Sequence, residues 1–195
     1  MYLGDAGRAL EANLQGSRNL PQNMSAELLI SYCLAHLGRY TEVAEMLERW
    51  VMTRPGDEWA VIFSDTISLE SAVLAEHRQA AELLLHRQVG RTSRTTGLWL
   101  TTCTGRHLGA AAAFLGRPDE ARKYYQHAIK ACTEMRFRPE LALARLQLAE
   151  LLLEHYPKER AEALEHLDIA IKEFQDMKMQ PSLERALKHK EILGA

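Results

Sequence analysis

The chain has 195 residues, 47 % of them hydrophobic and 26 % charged, a balance that excludes a disordered tail and allows a continuous apolar core. Its 24 basic and 26 acidic side chains give a formal net charge of −2, so no global field draws it to nucleic acid or an anionic membrane. No apolar run approaches the roughly 18 to 20 residues that span a bilayer, and Met1 to Leu20 lacks the pattern of a signal peptide, so a cytoplasmic protein is expected.

Apolar periodicity predicts ten helices joined by short turns. The first covers residues 5–17, and helices over 25–37 and 40–53 follow with Gly38 at the turn between them. Pro55, Gly56 and Asp57 break and restart the chain for a fourth helix reaching residue 75, and a fifth takes 77–88. Residues 89–97 are polar and glycine-flanked and read as the longest loop. Helices over 98–115 and 118–134 form a hairpin written almost in full. There, Gly109 and Ala112 leave room for a neighbouring helix, Gly116 and Pro118 make the turn, and Ala121, Tyr125 and Ala128 recur on one face. Pro139, Pro157 and Pro181 stand where proline is tolerated, in the first turn of three more helices. The eighth helix, 139–155, is apolar on more than one face and predicts neighbours on both sides. The tenth, 181–193, suits the role of a cap.

The hairpin unit recurs. Gly4 to Ala9, Gly38 to Val43 and Gly116 to Ala121 align on the small residue after the turn, Glu76 to Ala81 is a worn copy without the glycine, and Pro157 to Ala163 is a last one. These residues resemble the tetratricopeptide repeat family, with Gly109, Gly116, Ala121, Tyr125 and Ala128 matching in one repeat and Ile30, Leu34, Gly38, Leu47 and Pro55 in another. Trp50 stands where the family has its final small residue. The resemblance implies an all-α fold, a right-handed superhelical solenoid of antiparallel helix pairs. Its divisions would be a partial first repeat over 1–22, repeats over 23–56, 57–97, 98–136 and 137–178, and a capping helix over 179–195. The longer repeats are also similar to the helical arrays of bacterial multidomain regulators, among them maltose-activator and LuxR-type ATPases and arrays paired with adenylate cyclase modules. With no nucleotide-binding or helix-turn-helix module present, that resemblance implies the sensor or scaffold part of such a protein. The opening at Gly4 reads as a first repeat cut short.

Motifs for chemistry are absent from the sequence. It holds no HExxH, GxSxG or GxxxxGK[ST], and Gly90 to Gly97 has no lysine to reach a phosphate. The eight histidines form no i, i+4 pair for a metal, and Cys33, Cys103 and Cys132 form no CxxC, so neither a zinc site nor a disulfide framework is indicated. No catalytic residue, cofactor or metal is therefore assigned. Trp50, Trp59, Trp99, Tyr124 and Tyr125 read as core rather than as platforms for bases, since no basic stripe interleaves with them.

In arrays of the resembled kind the first helix of each hairpin lines an inner, concave groove. Exposed positions there would be Tyr32 and His36, then Thr66 and Glu70, then Arg106 and His107, and finally Gln147, Glu150 and Glu154. This set is mixed in charge, unlike the lysine and asparagine clamp by which some family members hold a C-terminal carboxylate. The expected function is a noncatalytic interaction module or scaffold that takes a peptide or helix by apolar anchors and charge pairs. The alternative is the effector-binding portion of a signalling ATPase or transcriptional regulator. Apolar surface at the end hairpins would also allow a homo-oligomer.

Overall fold

The computed structural model describes residues 5–17, 24–53, 61–90 and 102–193. The expected turns at Gly4 and at Pro55 to Asp57, the loop from Arg91 to Gly97, and Trp59 and Trp99 lie outside the described residues. Within them the fold is all-α. Ten α-helices follow one another: α1 (Ala6–Ser17), α2 (Met24–His36), α3 (Tyr40–Leu47), α4 (Val61–Leu74), α5 (Arg78–Gln88), α6 (Thr104–Phe114), α7 (Pro118–Glu134), α8 (Arg138–His155), α9 (Arg160–Asp176) and α10 (Gln180–Ile192). None is long and apolar enough to cross a membrane. The helices group into two compact units that divide after residue 100, α1–α5 in one and α6–α10 in the other.

One turn is used five times. Each of Gly38, Glu76, Gly116, Arg136 and Lys178 takes a left-handed backbone, with φ of 75°, 54°, 78°, 54° and 55°. The amide that follows reaches back to the carbonyl five residues earlier, from Arg39 to Leu34, His77 to Ala72, Arg117 to Ala112, Phe137 to Cys132 and Met179 to Phe174. This is the Schellman arrangement, which satisfies carbonyls that a helix end would otherwise leave open. Glu76 therefore does the work of the glycine missing from the worn copy.

Prolines mark the helix starts as expected, with small shifts. Pro118 opens α7, Pro139 and Pro181 are second residues of α8 and α10, and Pro157 opens a short 3-10 turn (Pro157–Glu159) before α9 begins at Arg160. At the end of α3 the chain widens into a π-helical segment, Glu48–Met52. The buried residues Val43, Leu47 and Val51 step by four, and each such step drifts about 40° around an ordinary α-helix. The wider π turn winds that drift back and keeps Val51 inward. Trp50, in the same segment, is half-buried, and its indole N–H donates to Glu27 Oε2 at 2.7 Å.

Packing follows chain order. In the first unit α2 packs on α1, α3 and α4, and α4 also on α5. In the second, α8 packs on α7 and α9 and also meets α6 and α10, which is why its apolar residues go round the helix. Leu146, Leu148, Leu151 and Leu152 are all buried. α7 and α9 each bury a single stripe, Ala121, Tyr125, Ala128 and Cys132 on one and Ala163, Leu167, Ala170, Ile171 and Phe174 on the other. α10 buries only Ala186 fully, and Leu187 and Ile192 stay exposed.

Candidate functional site

Helices α8 and α10 border a solvent-open cleft of about 490 Å³ lined by Glu150, Leu153, Glu154, Arg185 and His189. A smaller hollow of about 270 Å³ shares Leu153 and His189 and adds Pro157, Arg160, Ile192 and Leu193. The two make one groove with an apolar floor and a charged rim. Glu150 ties the helices together: Arg185 donates to it twice, Nε to Oε1 at 2.6 Å and Nη2 to Oε2 at 2.5 Å, while His189 Nε2 stands 2.9 Å from Oε1. Arg160 Nη2 donates to the Leu193 carbonyl at 2.6 Å, which fixes the end of the floor. Glu154, one turn after Glu150, keeps its carboxylate in solvent, with its side chain 75 % exposed. Gln147, one turn before, is half-buried, and its Oε1 has no partner.

The first unit brings three of its four expected residues together. His36 Nε2 lies 3.3 Å from Glu70 Oε1, the Tyr32 hydroxyl donates to Glu70 Oε2 at 3.5 Å, and the Tyr32 and His36 rings meet edge to face at 4.7 Å. Exposure of Tyr32 does not hold, because its ring is buried under these contacts. Nor does exposure of Thr66. It lies fully buried where Gln88 Nε2 donates to its hydroxyl at 2.9 Å, on a helix whose residues from Ser64 to Leu69 are all inside.

Arg106 and His107 are the largest correction. Both were expected on an exposed face, and both are buried, at 4 % and 1 % exposure. Glu140, wholly buried at the start of α8, explains why. It accepts from Arg106 Nε at 2.7 Å, from Arg106 Nη2 at 3.2 Å and from the Cys103 amide at 2.9 Å. Arg106 Nη2 also lies 3.1 Å from His107 Nε2, which stands 2.7 Å from the Thr102 hydroxyl. A guanidinium can only donate, so His107 Nε2 accepts there and that nitrogen carries no proton. The group is a structural clamp between α6 and α8, charge-paired on the inside.

Two cysteines that sequence spacing kept apart meet in space. Cys103 and Cys132 pack with Ala128 and Ala144 in one buried cluster, and all three cysteines are unbridged. The hairpin register was the available signal: the two positions stand at similar distances either side of the turn at Gly116 and so face each other when α6 and α7 run antiparallel. Among the described residues no three metal-ligating side chains come together. Fold and groove thus define an all-α assembly of packed helix pairs with an amphipathic cleft along α8 and α10. No protein-family model and no curated protein matches the chain.

Proposed function

We propose that the protein is a noncatalytic interaction module, related to the tetratricopeptide repeat arrays it resembles, and that its α8–α10 groove holds a segment of another protein. The observation that carries this reading is the groove's make-up. Leu153, Ile192 and Leu193 offer an apolar floor for an anchor side chain, and Glu154, largely exposed and with only His155 Nε2 near it at 3.7 Å, offers a carboxylate beside it. An open trough of this kind suits a chain segment better than an enclosed small molecule. Glu150 acts as a spacer, since Arg185 and His189 already hold its charge. The occupant is a helix or extended peptide with an apolar anchor next to a lysine or arginine.

The test is selection of peptides from a displayed random library, followed by titration of the best binders against variants. Ile192 is 72 % exposed, so Ile192→Glu and Glu154→Lys leave the fold intact. Each is expected to weaken binding about tenfold. Selected peptides that bind both variants as tightly as the wild type would sink the reading. Light scattering of the free protein separates a second copy of the chain from a foreign partner, because self-association would lower with Ile192→Glu in the absence of any peptide.

A further inference from the structure

We propose that Cys103 and Cys132 are an oxidisable dithiol, a modification site at which a hydroperoxide converts two thiols into a disulfide tying the start of α6 to the last turn of α7. Both side chains are buried, at 1 % and 0 % exposure, and pack against the same two alanines. The two cysteines, one at the start of α6 and one in the last turn of α7, thus share one core position across the hairpin. The backbone holds the pair in register from both ends. The Cys103 amide donates to Glu140 Oε2, which Arg106 clamps, and the Cys132 carbonyl accepts the Phe137 amide at 2.8 Å in the Schellman turn that follows. Cys33 belongs to the other unit, where its sulfur meets only the amide of Asn13 at 3.9 Å among the hydrogen bonds of its side chain.

The two sulfurs are not equivalent. The hydrogen bond from Cys132 draws the Cys103 thiol below its ordinary range against the opposing effect of burial, while the same bond, with burial added, pushes Cys132 up. Cys103 also occupies the N-cap of α6, where the helix dipole favours a thiolate. Cys103 is therefore the attacking sulfur. Its thiolate, having released its proton to solvent, attacks one oxygen of hydrogen peroxide: an S–O bond forms, the O–O bond breaks, and the departing hydroxide takes up a proton from solvent and leaves as water. The Cys132 thiol then attacks the resulting sulfenic acid. The S–S bond forms, the S–O bond breaks, and the hydroxide leaves with the Cys132 proton as a second water. Two electrons pass from the sulfurs to the peroxide.

The experiment treats the full chain with hydrogen peroxide, quenches with acid, unfolds the protein in denaturant with iodoacetamide and digests it with trypsin. The expected product is peptide 95–106 cross-linked to peptide 131–136, with Cys33 alkylated and the protein monomer mass lowered by two hydrogens before alkylation. Recovery of Cys103 and Cys132 as alkylated thiols, as separate sulfinic acids, or cross-linked to Cys33 would overturn the proposal. In Cys132→Ala the reaction stops at a Cys103 sulfenic acid that dimedone traps, whereas Cys103→Ala leaves Cys132 unmodified on a timescale about tenfold longer. Because either truncation leaves a hole in the core, the wild-type cross-link decides the matter even where a variant unfolds.

Discussion

The ring of Tyr125 fills the space into which any residue but glycine at position 109 would project: a Cβ built on Gly109 would stand 2.5 Å from Tyr125 Cδ1 and Cε1. A gap that short cannot be relieved by a side-chain tip, because the ring is buried in the α6–α7 interface. The overlap costs about 1–3 kcal/mol and alanine gains roughly 1 kcal/mol over glycine in a helix, so Gly109→Ala is expected to destabilise the protein by up to about 2 kcal/mol. Gly105 is a graded comparison, since a Cβ there would meet Ala128 Cβ and the Tyr124 carbonyl at 3.3 Å. Urea unfolding should rank wild type first, Gly105→Ala near it and Gly109→Ala well below. Equal midpoints for wild type and Gly109→Ala would show that α7 can withdraw freely, and the packing argument would fail.

Three of the five left-handed turn residues carry side chains that disfavour that conformation. Glu76, Arg136 and Lys178 are exposed, and nothing in the turn geometry requires their side chains. Replacing each by glycine should stabilise by about 0.5–1 kcal/mol, the left-handed penalty less the extra entropy that glycine gives the unfolded chain. The reverse change, Gly116→Ala, should cost a similar amount. Thermal denaturation of the single variants checks both signs, and a loss of stability in all three glycine variants would contradict the assigned turn.

The Arg106–Glu140 pair gives a sharper test of what the interior of the second unit depends on. Glu140→Leu or Arg106→Met each leaves a charge buried without its counterion, and a loss of about 3–5 kcal/mol is expected. The double variant Arg106→Met with Glu140→Leu removes both charges and should recover much of that loss, although the Cys103 amide then loses its acceptor. Denaturant unfolding of the four proteins closes a double-mutant cycle. Additive losses would mean the two residues do not act as a pair.

That pair also shows where sequence reading stopped. Helix positions, the proline starts and the buried stripe of Ala121, Tyr125 and Ala128 are local features, and period and turn chemistry carry them. The copy at Glu76 lacks the glycine that signals a left-handed turn, yet the backbone adopts that turn without it. Arg106 and His107 fall on an open face when the register of the resembled repeats is followed, because the first helix of each hairpin there lines a groove. What reverses this is Glu140, which lies 34 positions later at the start of another helix. Glu150 and Glu154 did fall on a cleft, yet the other wall, with Arg185 and His189, belongs to a helix read from sequence only as a cap.

His166 ties stability to pH in a direction that its surroundings fix. Arg145 Nη1 lies 3.0 Å from His166 Nδ1, so that nitrogen accepts and the imidazole is neutral, with Nε2 3.8 Å from Glu162 Oε1. Burial first, and then the charge of Arg145, hold the imidazole below its ordinary range, against the smaller opposing pull of Glu162 and Glu165. The folded protein thus binds fewer protons at this site than the unfolded chain does. By linkage the contribution of His166 is fully present above the unfolded value of about 6.5 and declines as pH falls through it toward the folded value. His166→Gln abolishes that titration while keeping a group able to accept from Arg145. Melting temperatures measured at about pH 7.5 and about pH 5.5 should therefore drop less in His166→Gln than in wild type over the same interval. Parallel drops would show that Arg145 and burial leave His166 as easily protonated in the fold as outside it.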